Sequence, residues 1–294
     1  MKKQIGIILL VTALIVSLIA GCGTNSKGTI VIGSKDFTES EVVAEIYALA
    51  LENAGYKVER KYDISSSVIH TSIVNKEIDL YPAYTGTALL AVLKKQPLTD
   101  PKEVYDVVKD EYEKQFQLTW LDYASANDGQ GLAIRADVAE KLNIKNISDL
   151  QKHAAELRFG SQGEFDKRED GLPGLEKVYG QFAWKSSKVY DNSLLFQVLD
   201  NNEADVIPVY TTEGKLAQTD KYLLLEDDKH VWPPYNIAPV VRDEILKKYP
   251  DIADVLNKVD KSLTSEVLTK LNAKVDIDKE EYNDVAKEFY NNIK

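Results

Sequence analysis

Sixteen tyrosines set against three histidines and one cysteine limit the chemistry open to this 294-residue chain. Three of the tyrosines stand beside breaks in the backbone pattern: Tyr84 before Thr85-Gly86-Thr87, Tyr210 before Thr211-Thr212, and Tyr235 after Pro233-Pro234. Each falls where a loop could face a cleft. Ring faces suit a cation that has no N–H to donate and is weakly hydrated, because carboxylates and carbonyls gain little over water in holding it. Each face contributes about 0.5–2 kcal/mol once desolvated. Taken singly, each tyrosine is better read as an ordinary half-buried aromatic; it is the set that points to a cation.

Other chemistries find no support. His70, His153 and His230 lie far apart and show no metal-ligand spacing. Ser34, Ser40 and Ser161 lack the glycine setting of a hydrolase elbow, and neither a Walker nor a dinucleotide glycine pattern is present, so no cofactor is expected. An exported enzyme acting on a quaternary amine, with Asp79 or Asp205 as base, is the rival of another class; no residue announces a perturbed acid or base. A sensor or adhesin using the same scaffold is a second rival.

The elements that must position these residues follow from periodicity. Thr29–Gly33 reads as a buried strand, Glu41–Ala54 as a helix stopped by Gly55, and Tyr56–Tyr62 as an alternating strand. This βαβ order predicts an α/β sheet with helices on its faces. Ile78–Pro82 is expected to be a strand ended by its proline, and Pro101–Phe116 a long helix. After the glycine-rich stretch 127–131 the alternation begins afresh, with strands at 132–135, 158–160, 189–190 and 204–210 and a helix over 176–182. From Arg242 onward the pattern is amphipathic helix, with Asp243, Asp251 and Ser265 near plausible starts. No internal repeat is apparent. Two α/β lobes joined by crossings near Asn127 and Trp232 would form a hinged clamshell whose closure buries a ligand. The expected division is 29–127 plus 234–294 for lobe I and 128–233 for lobe II.

Met1-Lys2-Lys3, an apolar run from Ile5 to Ala20, and Ala20-Gly21 before Cys22 describe an export signal over residues 1–21. A retained anchor helix is the alternative, though the run is short beside the roughly 20 residues that span a bilayer. Cys22 has no disulfide partner, which lipid attachment would explain. Residues 22–28 then read as a small, polar tether. The formal net charge of -11 makes nucleic acid an unlikely partner.

Four ordered motifs carry a resemblance across the mature chain: residues 33–39 (Gly33-Ser34-Lys35-Asp36-Phe37-Thr38-Glu39), 79–87, 165–174 and 227–235. Together they resemble the glycine betaine/carnitine/choline-binding proteins of osmoprotectant ABC transporters, and Cys22 resembles the lipidated cysteine of bacterial lipoproteins. The resemblance implies a two-lobed periplasmic-binding-protein fold of the clamshell type with two crossover strands. It also implies a monomer held to the membrane by lipid on Cys22, delivering a trimethylammonium compound to an ABC permease. Its aromatic cage falls on Tyr84, Tyr210 and Tyr235, and its polar contacts on Lys35, Thr87 and Arg168. Arg168 and Lys35 would take a ligand carboxylate, the arginine as a bidentate fork; an exposed pair with Glu169 or Asp170 is the plainer reading of Arg168. One departure is Gln130, standing where a further tyrosine commonly closes the cage. Either Phe196 or Trp232 completes it, or the ligand carries an extra polar group, as the trimethylhistidine betaine ergothioneine does, or Gln130 is a loop residue that touches no ligand.

Overall fold

A computed structural model describes residues 26–163, 165–167 and 170–294. The expected signal, Cys22 and Arg168 lie outside the described residues. Two five-stranded mixed sheets, each flanked by helices, make the two lobes of a periplasmic-binding-protein fold. The first sheet runs β2 (Lys57–Ile64), β1 (Thr29–Lys35), β3 (Leu80–Tyr84), β10 (Ile237–Arg242), β4 (Leu118–Trp120). The second runs β7 (Ser186–Tyr190), β6 (Arg158–Gln162), β8 (Val206–Tyr210), β5 (Gln130–Arg135), β9 (Tyr222–Leu224).

Helix α1 (Thr38–Asn53) follows β1 and is buried almost all round. It is covered on the side away from the sheet by α3 (Asp251–Asp260), α4 (Ser265–Asp276) and α5 (Tyr282–Ile293). Such enclosure needs apolar residues on several sides: Val43, Ile46, Tyr47 and Leu51 are fully buried, and the buried acids Glu39 and Glu45 are hydrogen-bonded to Tyr84 and Arg60. Tyr47 donates its hydroxyl to Asp260 Oδ1 at 2.5 Å, locking α1 to α3. The long helix α2 (Pro101–Phe116) starts and stops where its sequence dictates. Asp100 accepts the Glu103 N–H, Pro101 has no N–H to be satisfied, and Gln117 ends the helix in the left-handed region at φ 58°. Among the described residues no helix is long and apolar enough to cross a membrane.

Three expectations need correcting. Pro82 does not end its strand: it lies within β3, directly opposite Pro239 of β10. The two prolines fall on a pair of that ladder that exchanges no hydrogen bonds, between those of Thr85 N–H to Asn236 O and Arg242 N–H to Asp79 O. Toward β4, Leu121 donates to Pro239 O, and its own carbonyl takes the Tyr105 hydroxyl (2.9 Å) in place of the proline N–H that is missing. The helix expected at 176–182 runs instead over Leu172–Tyr179, with Pro173 in its first turn, where the missing N–H costs nothing. Ile237–Arg242, passed over between the prolines and the helices, is a central strand of the first sheet.

The lobes also repeat one another. Asp79-Leu80-Tyr81-Pro82-Ala83-Tyr84-Thr85 and Asp205-Val206-Ile207-Pro208-Val209-Tyr210-Thr211 occupy matching places. Asp79 donates its N–H to Val31 O (2.7 Å), takes the Val31 N–H on its carboxylate (2.8 Å), and accepts the Arg242 N–H on its carbonyl (3.1 Å). Asp205 does the same with Arg158 O (2.9 Å), Arg158 N–H (2.9 Å) and Arg135 N–H (3.0 Å). The repeat escaped notice because it lies in backbone bonding, and its two copies share only Asp, Pro, Tyr and Thr.

The duplication continues into the crossings. Thr85 Oγ1 donates to Pro234 O and accepts the Asn236 N–H, both at 3.0 Å. Thr211 Oγ1 donates to Asn127 O (2.8 Å) and accepts the Gly129 N–H (3.0 Å). The crossings run antiparallel, bridged at Asn127 and Asn236, and the Asn236 amide donates to Ala124 O and Ala126 O, each at 3.1 Å. Thr85→Val should destabilise the protein by about 1–3 kcal/mol, since it leaves a buried donor and acceptor unpaired. Urea unfolding checks this as a lowered midpoint at unchanged slope.

Candidate functional site

The repeat places Tyr84 and Tyr210 at equivalent C-terminal strand ends, each next to the crossing that enters its own lobe. Ligands of open α/β sheets bind beyond the carboxyl ends of strands. Tyr235 comes from the second crossing. Its N–H donates to Asn127 Oδ1 (2.6 Å), and its ring lies between Gly86 and Gly129. A Cβ at Gly86 would stand 2.7 Å from Tyr235 Cδ1, and one at Gly129 would stand 3.3 Å from Cδ2. Space for this ring, not an unusual dihedral, is what glycine supplies in Thr85-Gly86-Thr87.

The tyrosines differ in exposure. Tyr84 and Tyr235 are buried, whereas Tyr210 is 42% exposed. Gln130 opens β5, half-buried and directly across the ladder from Tyr210. Thr87 is half-buried in the turn Thr85–Thr87. Lys35, at the end of β1, is buried, and its Nζ sits 4.6 Å from the centroid of the Tyr84 ring and 5.9 Å from that of Phe37. The structure therefore brings Lys35, Tyr84, Gly86 and Tyr235 together and sets Gln130 and Tyr210 side by side on the other sheet.

Of the two side chains considered for completing a cage, Phe196 packs edge-on to Tyr222 at 5.0 Å in the core of the second lobe. Trp232 donates its indole N–H to Asp170 O at 2.7 Å, fixing the segment that follows Arg168 to the second crossing. Asp79 and Asp205, the bases of the enzymatic alternative, lie at the opposite strand ends from the tyrosines, engaged with Arg242 and Arg158. Among the described residues no group of His, Cys, Asp or Glu could hold a metal.

The sequence reading missed the acids. Glu39, at the start of α1, is only 2% exposed; it accepts the Tyr84 hydroxyl on Oε1 (2.9 Å) and the Asn272 amide on Oε2 (3.1 Å). Asp128, in the first crossing, accepts the Thr212 hydroxyl at 2.6 Å. Burial, and then Asp128, pushes the Glu39 carboxyl up to about 8. Burial raises Asp128 to about 6 against the pull of Thr212 and Lys35. Burial lowers Lys35 to about 8, opposed by Asp128, Asp36 and Glu39. The one available signal was Glu39 inside a quoted motif; its partners lie far along the chain.

With this geometry established, comparison with known proteins is decisive. Residues 28–292 match the family described as the substrate binding domain of the ABC-type glycine betaine transport system. The chain belongs to that family. The carnitine transport binding protein OpuCC of Listeria monocytogenes is 33% identical over 299 residues, covering 98% of this chain and 96% of its own. The ergothioneine transport permease/ergothioneine binding protein EgtU of Helicobacter pylori is 34% identical over 262 residues. That match takes in 88% of this chain, which spans only 47% of that protein. A crystal structure titled as a glycine betaine/carnitine/choline ABC transporter superposes with a TM-score of 0.84 at 27% identity, covering 90% of this chain and 98% of that one. These family members are transport binding proteins, as the motifs implied.

The acids of the family fold seen here give a pH signature. An unfolded carboxyl ionises near pH 4, whereas folded Glu39, Glu213 and Asp128 hold their protons to about 8, 7 and 6. Folding takes up protons across that window, so their contribution to stability falls as pH rises through it. Thermal melts should give a lower Tm at pH 8 than at pH 5.5, and Glu39→Gln should lessen the drop.

Proposed function

We propose that this protein captures a trimethylammonium compound of the glycine betaine, carnitine or choline kind between its lobes and delivers it to an ABC permease. One observation carries the reading: the Tyr84 ring already carries an ammonium, that of Lys35, on a buried surface. A ring that holds one cation out of water can hold another. The ligand's methylated nitrogen competes with Lys35 for that ring. Lys35 then turns to the ligand's carboxylate, which also takes the guanidinium of Arg168, while Thr87 adds a hydroxyl.

Tyr84 and Tyr235 come from the lobe formed by 29–127 plus 234–294, and Tyr210 with Gln130 from the lobe formed by 128–233. Ligand contacts made from both sides favour the closed arrangement by the difference in binding they supply. Export by residues 1–21 and lipid on Cys22 would hold a monomer at the outer face of the membrane. The carnitine-binding relative supports this role through nearly full-length similarity.

A second reading, ergothioneine as ligand, is favoured by Gln130. A carboxamide facing Tyr210 offers a donor and an acceptor to a heteroaromatic ring, where a further phenol would offer only a face.

A thermal-shift panel of choline, glycine betaine, carnitine and ergothioneine on protein beginning after Cys22 should show stabilisation by at least one. A flat panel would sink the function. Tyr84→Ala or Tyr235→Ala should weaken the bound compound at least several-fold by calorimetry. Arg168→Ala should harm glycine betaine far more than choline, and equal losses would remove its carboxylate role.

A further inference from the structure

Glu39 is buried, yet both of its carboxyl oxygens are engaged. Its two oxygens serve different parts of the molecule. Oε1 holds the hydroxyl of Tyr84 at 2.9 Å, and Oε2 holds the amide of Asn272 at 3.1 Å. That amide also donates to Thr212 O at 2.9 Å, and the Thr212 hydroxyl donates to Asp128 Oδ1 at 2.6 Å. A continuous path of hydrogen bonds thus leads from the Tyr84 ring, through α1 and α4, to the residue two places after Tyr210 on the other sheet. The backbones there are in contact as well: a Cβ at Gly214 would stand 2.7 Å from Ala273 N.

We propose that Glu39 is a positioning residue of the ligand site, fixing the orientation of the Tyr84 ring and linking it through Asn272 to Thr212, so that ring and lobe arrangement are set together. The proposal rests on the trimethylammonium reading above and extends it to a residue that does not touch ligand. A carboxyl is the group this role requires. Ionised, it accepts from two donors at once, and its charge makes the phenol ring a better partner for a cation. An amide in its place keeps the shape but can never become the anion that accepts from Tyr84 and Asn272 together.

The surroundings give this role a titration. Lys35 faces Glu39 from its own segment, Tyr84 from β3, and Asp128 from the first crossing, with Asp36 near Lys35 and Glu213 beyond Asp128. A cation on Tyr84 favours the ionised carboxylate, so binding expels the Glu39 proton and tightens as pH rises through about 8. Lys35 loses its own proton in the same range, which frees the Tyr84 ring for the ligand nitrogen but takes the ammonium away from a ligand carboxylate. The two contributions separate when Lys35 is replaced by methionine.

The test uses as probe whichever of choline, glycine betaine, carnitine and ergothioneine binds the wild-type protein most tightly. Its Kd is measured by calorimetry at about pH 7 and 9, where the carboxylates and quaternary nitrogens of these compounds do not titrate. Glu39→Gln, judged folded by circular dichroism, should bind about five- to tenfold more weakly at pH 9, where the wild-type carboxyl is ionised, the worth of one or two hydrogen bonds, and closer to wild type at pH 7. In the Lys35→Met background it should also abolish the tightening between the two pH values. Tyr84→Phe, which keeps the ring and loses the hydroxyl, should weaken binding, and the Tyr84→Phe/Glu39→Gln double variant should be little worse than Glu39→Gln alone.

Should Glu39→Gln not fold, Tyr84→Phe in the Lys35→Met background carries the test, with the same weakening and a flattened pH response expected. Wild-type affinity and pH response in the folded variants would overturn the proposal while leaving the functional reading intact. Failure of the wild-type protein to bind any of the four compounds would overturn both.

Discussion

Everything at the candidate site hangs on two threonine hydroxyls. Thr85 and Thr211 each give one hydrogen bond and take one, and both bonds go to the backbone of a crossing segment. A hydroxyl so used has its proton direction fixed, and it fixes the preceding residue in turn. That residue is Tyr84 in one lobe and Tyr210 in the other. The rings are thereby registered to the hinge and not merely to their own sheets, so a rotation of the lobes about the crossings carries each ring along a defined path.

The same constraint explains why the second crossing can carry a ring of its own. With Asn236 pinned to Thr85, Ala124 and Ala126, Tyr235 has one place to go, between two positions that lack side chains. Close packing tolerates no slack there. Buried polar groups then stack up behind the rings: Glu39, Asp128, Asn272 and Thr212 form a network whose members are expensive to bury singly and rigid when satisfied together. Lys35 completes the arrangement as a cation held on a ring face.

Much of this was legible in the chain. The βαβ order, the fresh start after residue 131, the span of α2 and the helix starts at Asp243, Asp251 and Ser265 all follow from local periodicity and capping, because those features depend on residues within a few positions of one another. Tyr84, Tyr210 and Tyr235 stood out for the same reason, each beside a local break. What could not be read depends on partners far away. Pro82 reads as a terminator until Pro239 is found opposite it. Glu39 reads as a first-turn helix acid until Tyr84 and Asn272 are found on its oxygens. Lys35 carried a motif that implied an anion partner, and only the coordinates put its ammonium over a ring. The pairing of the two lobes lay in main-chain bonds, which leave almost no trace in residue identity.

The position of β10 has a consequence for how the chain assembles. It is the strand between β3 and β4, and it arrives only at Ile237, followed by the helices that cover α1. The second sheet is built wholly from 130–224 and can close as soon as that stretch is available, with its partners all at hand. The first must wait, with a gap between β3 and β4, until Ile237–Arg242 has emerged. An N-terminal half released early would expose an unfilled sheet to chaperones and proteases, so the order of maturation runs from the middle of the chain outward.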